Sequence, residues 1–175
     1  MTRMDTTPLV DHKPRGIFDR NTRGLSLEPV PVRIERDRIR FFAQVLGETD
    51  PIYHRLEAAK AAGHPDLPAP PSFFVVVESV ANEERQRRGL PIFQDLVRCD
   101  FRYLLHGDER YFYHGPMYAG DEVELSTTVV DFYDKKGGAM EFVTSESRIV
   151  HPTRGVLVRA RRTLLHRLPD AGAVA

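Results

Sequence analysis

Ser72-Phe73-Phe74-Val75-Val76-Val77-Glu78-Ser79-Val80-Ala81-Asn82-Glu83-Glu84-Arg85-Gln86-Arg87-Arg88-Gly89 is the stretch on which the fold turns. Its first five apolar residues, Phe73 to Val77, leave no polar side, whereas Asn82 to Arg88 is polar. Val and Phe favour strands, so a short buried strand is one reading of Phe73 to Val77. Ser72 as an N-cap and Gly89 as a stop instead bracket a single helix to about Arg88, the reading adopted. A helix that is apolar all round must be enclosed, and a curved sheet wrapped around it would enclose it.

Working outward, Val30-Pro31-Val32-Arg33-Ile34 alternates apolar and polar residues and predicts a short strand, at an edge or end because of Pro31. Ile39, Phe42, Ala43 and Leu46 then mark one face of a helix that Gly47 closes. A loop, Glu48 to His54, leads to a short helix from about Arg55 to Ala62, stopped by Gly63. His64 to Pro71 holds four prolines, which remove backbone donors and stiffen the path into the long helix. Downstream the chain reads as strands. Asp108 to His114 is aromatic-rich, Glu122 to Val130 alternates with period two, and Asp134 to Gly138 is a hairpin turn. Met140 to Val150 returns, His151 to Gly155 turns again, and Val156 to Leu165 is the last strand. The predicted class is α+β, one long helix against about five antiparallel strands.

With 175 residues the chain suits one domain, placed at 14–167, with disordered ends expected at 1–13 and 168–175. Lys+Arg and Asp+Glu balance at 25 each, which argues against nucleic acid or an anionic membrane as partner. The longest apolar run, Phe73 to Val77, is far short of the roughly 20 residues of a membrane span. The start of the chain lacks a signal peptide's apolar stretch. The single cysteine, Cys99, excludes an internal disulfide, and a reducing cytoplasm is the expected setting. Cys99 reads as a small buried hydrophobe in preference to a nucleophile.

Three segments carry a family resemblance: Phe42 to His54, Ala61 to Phe73, and Tyr113 to Asp121. In that order and spacing they resemble the MaoC-like dehydratases, in particular the MaoC dehydratase N-terminal or FAS1-like branch. The resemblance implies a hot-dog fold, as a homodimer or as a heterodimer with a second hot-dog subunit. It also implies reversible hydration of a 2-enoyl thioester to the (R)-3-hydroxyacyl form, on CoA or acyl-carrier protein. No cofactor and no metal are implied.

Such hydration needs a base for water, an acid for C2, and donors for the thioester carbonyl as it becomes enolate-like. In relatives the first two are an Asp and a His in a Gly-Asp-x-Asn-Pro-Leu-His loop. Here the stretch is Gly47-Glu48-Thr49-Asp50-Pro51-Ile52-Tyr53-His54. Aligned on Gly47 and Pro51, Glu48 stands at the Asp position, Asp50 at the Asn position and Tyr53 at the His position, with His54 one residue later. The resemblance therefore leaves two readings open. In one, His54 acts with Asp50 or Glu48. In the other the dyad is lost, and the chain is a catalytically silent subunit that binds acyl-CoA or braces a partner hydratase.

The family's buried helix points its N-terminus at the thioester oxygen, which implies the amides of Ser72, Phe73 and Phe74 as carbonyl donors, Pro70 and Pro71 having none to offer. Ser72 as a plain N-cap is compatible with that role. The acyl tail is expected along Phe73, Phe74 and Val77, or against Tyr111, Phe112 and Tyr113. Tyr53 and His114 complete the substrate-binding set. His64, His106, His151 and His166 show no metal-ligand spacing. Arg159, Arg161 and Arg162, or Arg85, Arg87 and Arg88, are candidates for CoA phosphates, or a solvated face. A hot-dog thioesterase would need a carboxylate near the helix start, and Glu78 is the weak candidate.

Overall fold

A computed structural model describes residues 16–169. The expected disorder of 1–13, and of most of the tail, lies outside the described residues. Five antiparallel strands form one sheet in the order β1-β3-β4-β5-β2. They are β1 (Val30–Arg33), β2 (Leu104–Tyr113), β3 (Glu122–Lys135), β4 (Met140–His151) and β5 (Gly155–Arg167). The helices are α1 (Arg36–Val45), α2 (Leu56–Ala61), α3 (Phe74–Arg87) and α4 (Phe93–Leu96).

Pro31 has no amide for a ladder, and β1 accordingly pairs on one side only, with β3 at the sheet edge. Lys136, Gly137 and Gly138 take φ of 50°, 63° and 89° in the β3–β4 turn, where glycine meets no Cβ penalty. β3, β4 and β5 run 12 to 14 residues each, and register shifts at Val129/Asp131 and Ile149/Val150 add bulges that bend them.

Phe73 to Val77 lies at the start of a helix, but α3 opens later than the pattern predicts. Ser72 has φ of 67°, outside the helix, and Phe73 holds the N-cap position. The Ser72 hydroxyl donates to the Pro71 carbonyl at 2.5 Å, so the expected side-chain cap is not made. The helix is also not enclosed on every side. Phe73, Phe74, Val77 and Ala81 are buried in the main core, while Val75 is 39% exposed. In α1, Ile39 and Ala43 are buried as the spacing predicts, yet Leu46 is exposed beyond the helix end. Gly47 does take the left-handed conformation expected of a helix stop (φ 71°).

Two clusters fill the concave side of the sheet. α3 packs with β1, β3, β4 and β5 side chains around Val32, Leu125, Ile149 and Val158. The far ends of the long strands need separate cover, and α4 with Phe18 and Leu27 provides it over Val129, Val143 and Leu164. Sequence patterning missed α4, whose four residues are too few to show a period. Arg85 is buried, with its guanidinium donating to the Glu28 carbonyl.

Candidate active site

The start of α3 faces the end of the edge strand β2. Ser72 N–H donates to the Tyr113 hydroxyl at 2.9 Å, and Phe73 N–H donates to the Pro70 carbonyl at 3.1 Å. Of the three amides expected to hold a carbonyl, two are therefore occupied. Phe74 N–H has no acceptor among the described residues. The Phe73, Phe74 and Val77 side chains are core, about 1% exposed, so an acyl chain cannot lie along them. The open apolar surface is on the other side of α3. There Val75 and Val76 face Phe41 and Phe42 of α1 across a groove of about 450 Å³, rimmed by Asp37, Arg38 and Ser79. The Phe42 ring meets Phe73 edge-on at 5.5 Å, so this groove begins at the helix start.

The loop before α2 is organised by its own backbone. Glu48 Oε1 accepts from Thr49 N at 3.0 Å and Asp50 N at 3.1 Å. Asp50 caps a single 3₁₀ turn, Pro51–Tyr53, by accepting from Ile52 N at 3.0 Å. Pro51 at the first position of that turn suits its fixed φ. His54 Nε2 lies 2.8 Å from the Glu48 carbonyl oxygen, which can only accept. That makes Nε2 a donor, and in the neutral tautomer Nδ1 is then the acceptor. His54 is thus oriented by a backbone carbonyl, with no carboxylate bonded to its ring among the described residues. Arg40 Nε donates to the His54 carbonyl at 3.0 Å and ties the loop to α1. Tyr53 is half-buried, and burial first, then the charges of Glu48 and Asp50, pushes its phenol up. No hydrogen bond joins Glu48, Asp50 or His54 to Ser72, Phe73 or Phe74 among the described residues.

His114, just past β2, is exposed, and its amide donates to the Leu157 carbonyl at 2.8 Å. Most of the arginines proposed for phosphates are engaged elsewhere. Arg85 is buried, and Arg87 and Arg88 both pair with Glu84 at 2.5 Å. Arg162 sits between Glu78 at 2.8 Å and Glu109 at 2.6 Å, joining α3, β5 and β2. That pairing also occupies Glu78, the one carboxylate a thioesterase reading could use. Arg159 lies over the Phe112 ring at 5.5 Å, and Arg161 is exposed with no carboxylate partner among the described residues.

A carboxylate–imidazole pair does exist, at the opposite end of the sheet. Glu141 and His166 are both 0% exposed. Asp100 N–H donates to His166 Nε2 at 3.0 Å, so Nδ1 carries the proton and donates to Glu141 Oε1 at 2.8 Å. The same oxygen accepts from Ile17 N and Phe18 N at 2.7 and 3.1 Å. Phe18 stacks on the imidazole at 3.9 Å. Cys99 Sγ is 3.5 Å from His166 Nε2, but burial pushes its thiol up to about 11, the reverse of what a nucleophile needs. Cys99, expected to be a small buried hydrophobe, is only part-buried, and sequence reading gave no role to His166 or Glu141.

The match to known proteins is extensive. The family model described as the FAS1-like dehydratase domain region covers residues 21–161. The chain belongs to this FAS1-like dehydratase family. A UPF0336 protein of Leifsonia xyli subsp. xyli is 36% identical to this FAS1-like dehydratase domain over 145 residues, 82% of the chain and 92% of the relative. One from Parafrankia sp. is 39% identical over 100 residues, 57% of the chain, and there the match spans less than two thirds (62%) of the relative. Among solved structures, the C-terminally truncated HadBC (3R-hydroxyacyl-ACP dehydratase) complex of Mycobacterium tuberculosis superposes with TM-score 0.65 at 21% identity. The match covers 82% of this chain and 96% of that one. The ChsH1-ChsH2 complex from the same organism gives 0.66 at 18% identity, covering 85% and 88%. The FAS1-like dehydratase domain therefore has the hot-dog fold of the MaoC-like dehydratases. No helix among its described residues is long and apolar enough to cross a membrane.

Proposed function

We propose that this chain is an acyl-thioester (R)-3-hydroxyacyl dehydratase, or 2-enoyl hydratase in the reverse direction, working with a second hot-dog subunit, identical or different. The observation that carries the proposal is the Phe74 amide at the head of α3, without an acceptor among the described residues and next in sequence to Val75 of an apolar groove, in a member of a dehydratase family. In this reading the thioester carbonyl accepts from Phe74 N–H, and the helix dipole favours the negative charge that develops on its oxygen. The acyl tail leaves along Val75 and Val76 towards Phe41. His54, with Nδ1 bare, takes the proton from water and returns one to C2. Asp50 and Glu48 act on it by shaping the loop, since both carboxylates are bonded to backbone amides. The natural setting in this reading is the cytoplasm, with CoA or acyl-carrier protein bearing the substrate.

One observation favours the second reading, a silent subunit that holds acyl-CoA or braces a partner hydratase. Among the described residues His54 has no carboxylate contact that would steady an imidazolium during turnover. Crotonyl-CoA hydration by the purified chain separates the two. Turnover that His54→Ala abolishes supports the first, whereas activity seen only with a co-expressed hot-dog partner, and unchanged by His54→Ala, supports the second.

A further inference from the structure

We propose that the Tyr113 hydroxyl is a catalytic donor to the thioester carbonyl, completing with Phe74 N–H a two-donor clamp; this rests on the dehydratase reading above. A carbonyl turning into an enolate gains charge on one oxygen, and each fixed donor aimed there contributes substantially in a water-poor site. The head of α3 supplies only one, because the Ser72 and Phe73 amides are already taken.

Tyr113 stands where the missing donor is needed. It ends β2, on the sheet face that also carries Tyr111 and Glu109, two and four residues back along the strand. Glu109 reaches Arg162 on that face, and the Tyr111 ring packs 5.5 Å from the Phe74 ring. Tyr111 and Tyr113 lie 6.2 Å apart, so the two rings form an aromatic wall leading to the helix start. Tyr113 as a residue is 50% exposed.

The direction of its hydrogen bond matters most. Ser72 N–H points into the phenol oxygen, so Tyr113 accepts there and keeps its own proton to give. No acceptor for that proton exists among the described residues. A hydroxyl that accepts one hydrogen bond also becomes a better donor of the next. Ser72 holds φ of 67°, a conformation unfavourable for a residue with a Cβ, and that turn aims its amide at Tyr113. The hydroxyl needs only to share its proton with the carbonyl oxygen, and no bond to the tyrosine forms or breaks.

The test uses crotonyl-CoA labelled with ¹³C at the thioester carbonyl, bound to the full chain and read by difference infrared spectroscopy. In the wild-type protein the carbonyl band is expected below its solution frequency. Tyr113→Phe keeps the ring and should return the band part of the way to the solution value, with affinity within about threefold. Where the chain turns over crotonyl-CoA, the same variant should lose about 100-fold in kcat, the effect of removing one oxyanion donor. A fluorotyrosine at position 113, a stronger donor of the same shape, should move the band further down. An unshifted band in both variants would overturn the role of Tyr113 and leave the dehydratase reading standing. Failure of the wild-type protein to bind crotonyl-CoA would instead overturn both.

Discussion

The carboxylate–histidine group of the Glu48–His54 loop and the pair Glu141–His166 are built in opposite ways. Glu48, Asp50 and His54 lie within seven residues of one another in an open loop, and every hydrogen bond their carboxylates make goes to that loop's own amides. Glu141 and His166 are 25 residues apart in sequence and 0% exposed, and there imidazole and carboxylate bond directly. In the loop, water can serve any group that the protein does not, so a carboxylate is free to settle on the nearest amide. At the sheet's far end both side chains are buried, and three N–H groups meet one carboxylate oxygen. Nearness in sequence thus produced a capped turn whose imidazole meets a backbone carbonyl. Distance in sequence produced a clasp that fastens residues 16–18 and the Val97–Asp100 turn to β4 and β5.

The contrast can be broken most easily at its buried member. Glu141→Ala should lose about 3–5 kcal/mol of stability, since it strands His166 and two amides without an acceptor. Urea denaturation reads this, and a loss under about 1 kcal/mol would show that the clasp is replaceable. Next in size is the reactivity of Cys99. With its thiol pushed up to about 11 by burial, then by the charges of Asp100 and Glu141, iodoacetamide alkylation at neutral pH should run roughly 100-fold slower than for an ordinary thiol. Because the folded value is raised, this group's share of stability is full below the ordinary thiol range and fades as pH climbs through about 11. An alkylation midpoint at the ordinary value of about 8.5 would mean that the turn beside His166 opens freely.

The exposed member should respond far less. Asp50→Ala removes the acceptor for Ile52 N–H and should cost about 1 kcal/mol, seen as a small fall in the thermal midpoint and faster amide exchange at Ile52. Unchanged exchange there would show that Pro51 alone sets the turn. The smallest effect is expected from His54→Ala, within about 0.5 kcal/mol of wild type in denaturation. A loss above about 2 kcal/mol would make His54 a structural residue and remove the ground for giving it chemistry.

Much of this was legible in the residues themselves. The Val30–Ile34 alternation, Pro31 at an edge, Gly47 ending a helix and the Lys136-Gly137-Gly138 turn all express local backbone rules that need no distant partner. The segments around Gly47, Gly63 and Gly115 were enough to place the chain among MaoC-like dehydratases, as the family match bears out. The site was less legible, for reasons that differ residue by residue. Ser72 has the side chain of an N-cap, yet its amide is drawn to Tyr113, 41 positions away, and the helix begins two residues later. Arg85 and Arg162 look like solvated cations in a row of charges. They are sealed in by a carbonyl and by two glutamates that the fold brings from other elements.

The sequence by itself determined most of the helices and strands, that β1 lies at an edge, and which family the chain joins. All of these follow from spacing along the chain. Only the tertiary structure decided which amide at the head of α3 stays free, which face of that helix remains open, and which histidine meets a carboxylate. Each of those outcomes is a competition for one donor or acceptor among groups far apart in sequence. Burial settles it, because a polar group cut off from water takes whatever partner the packing brings within reach.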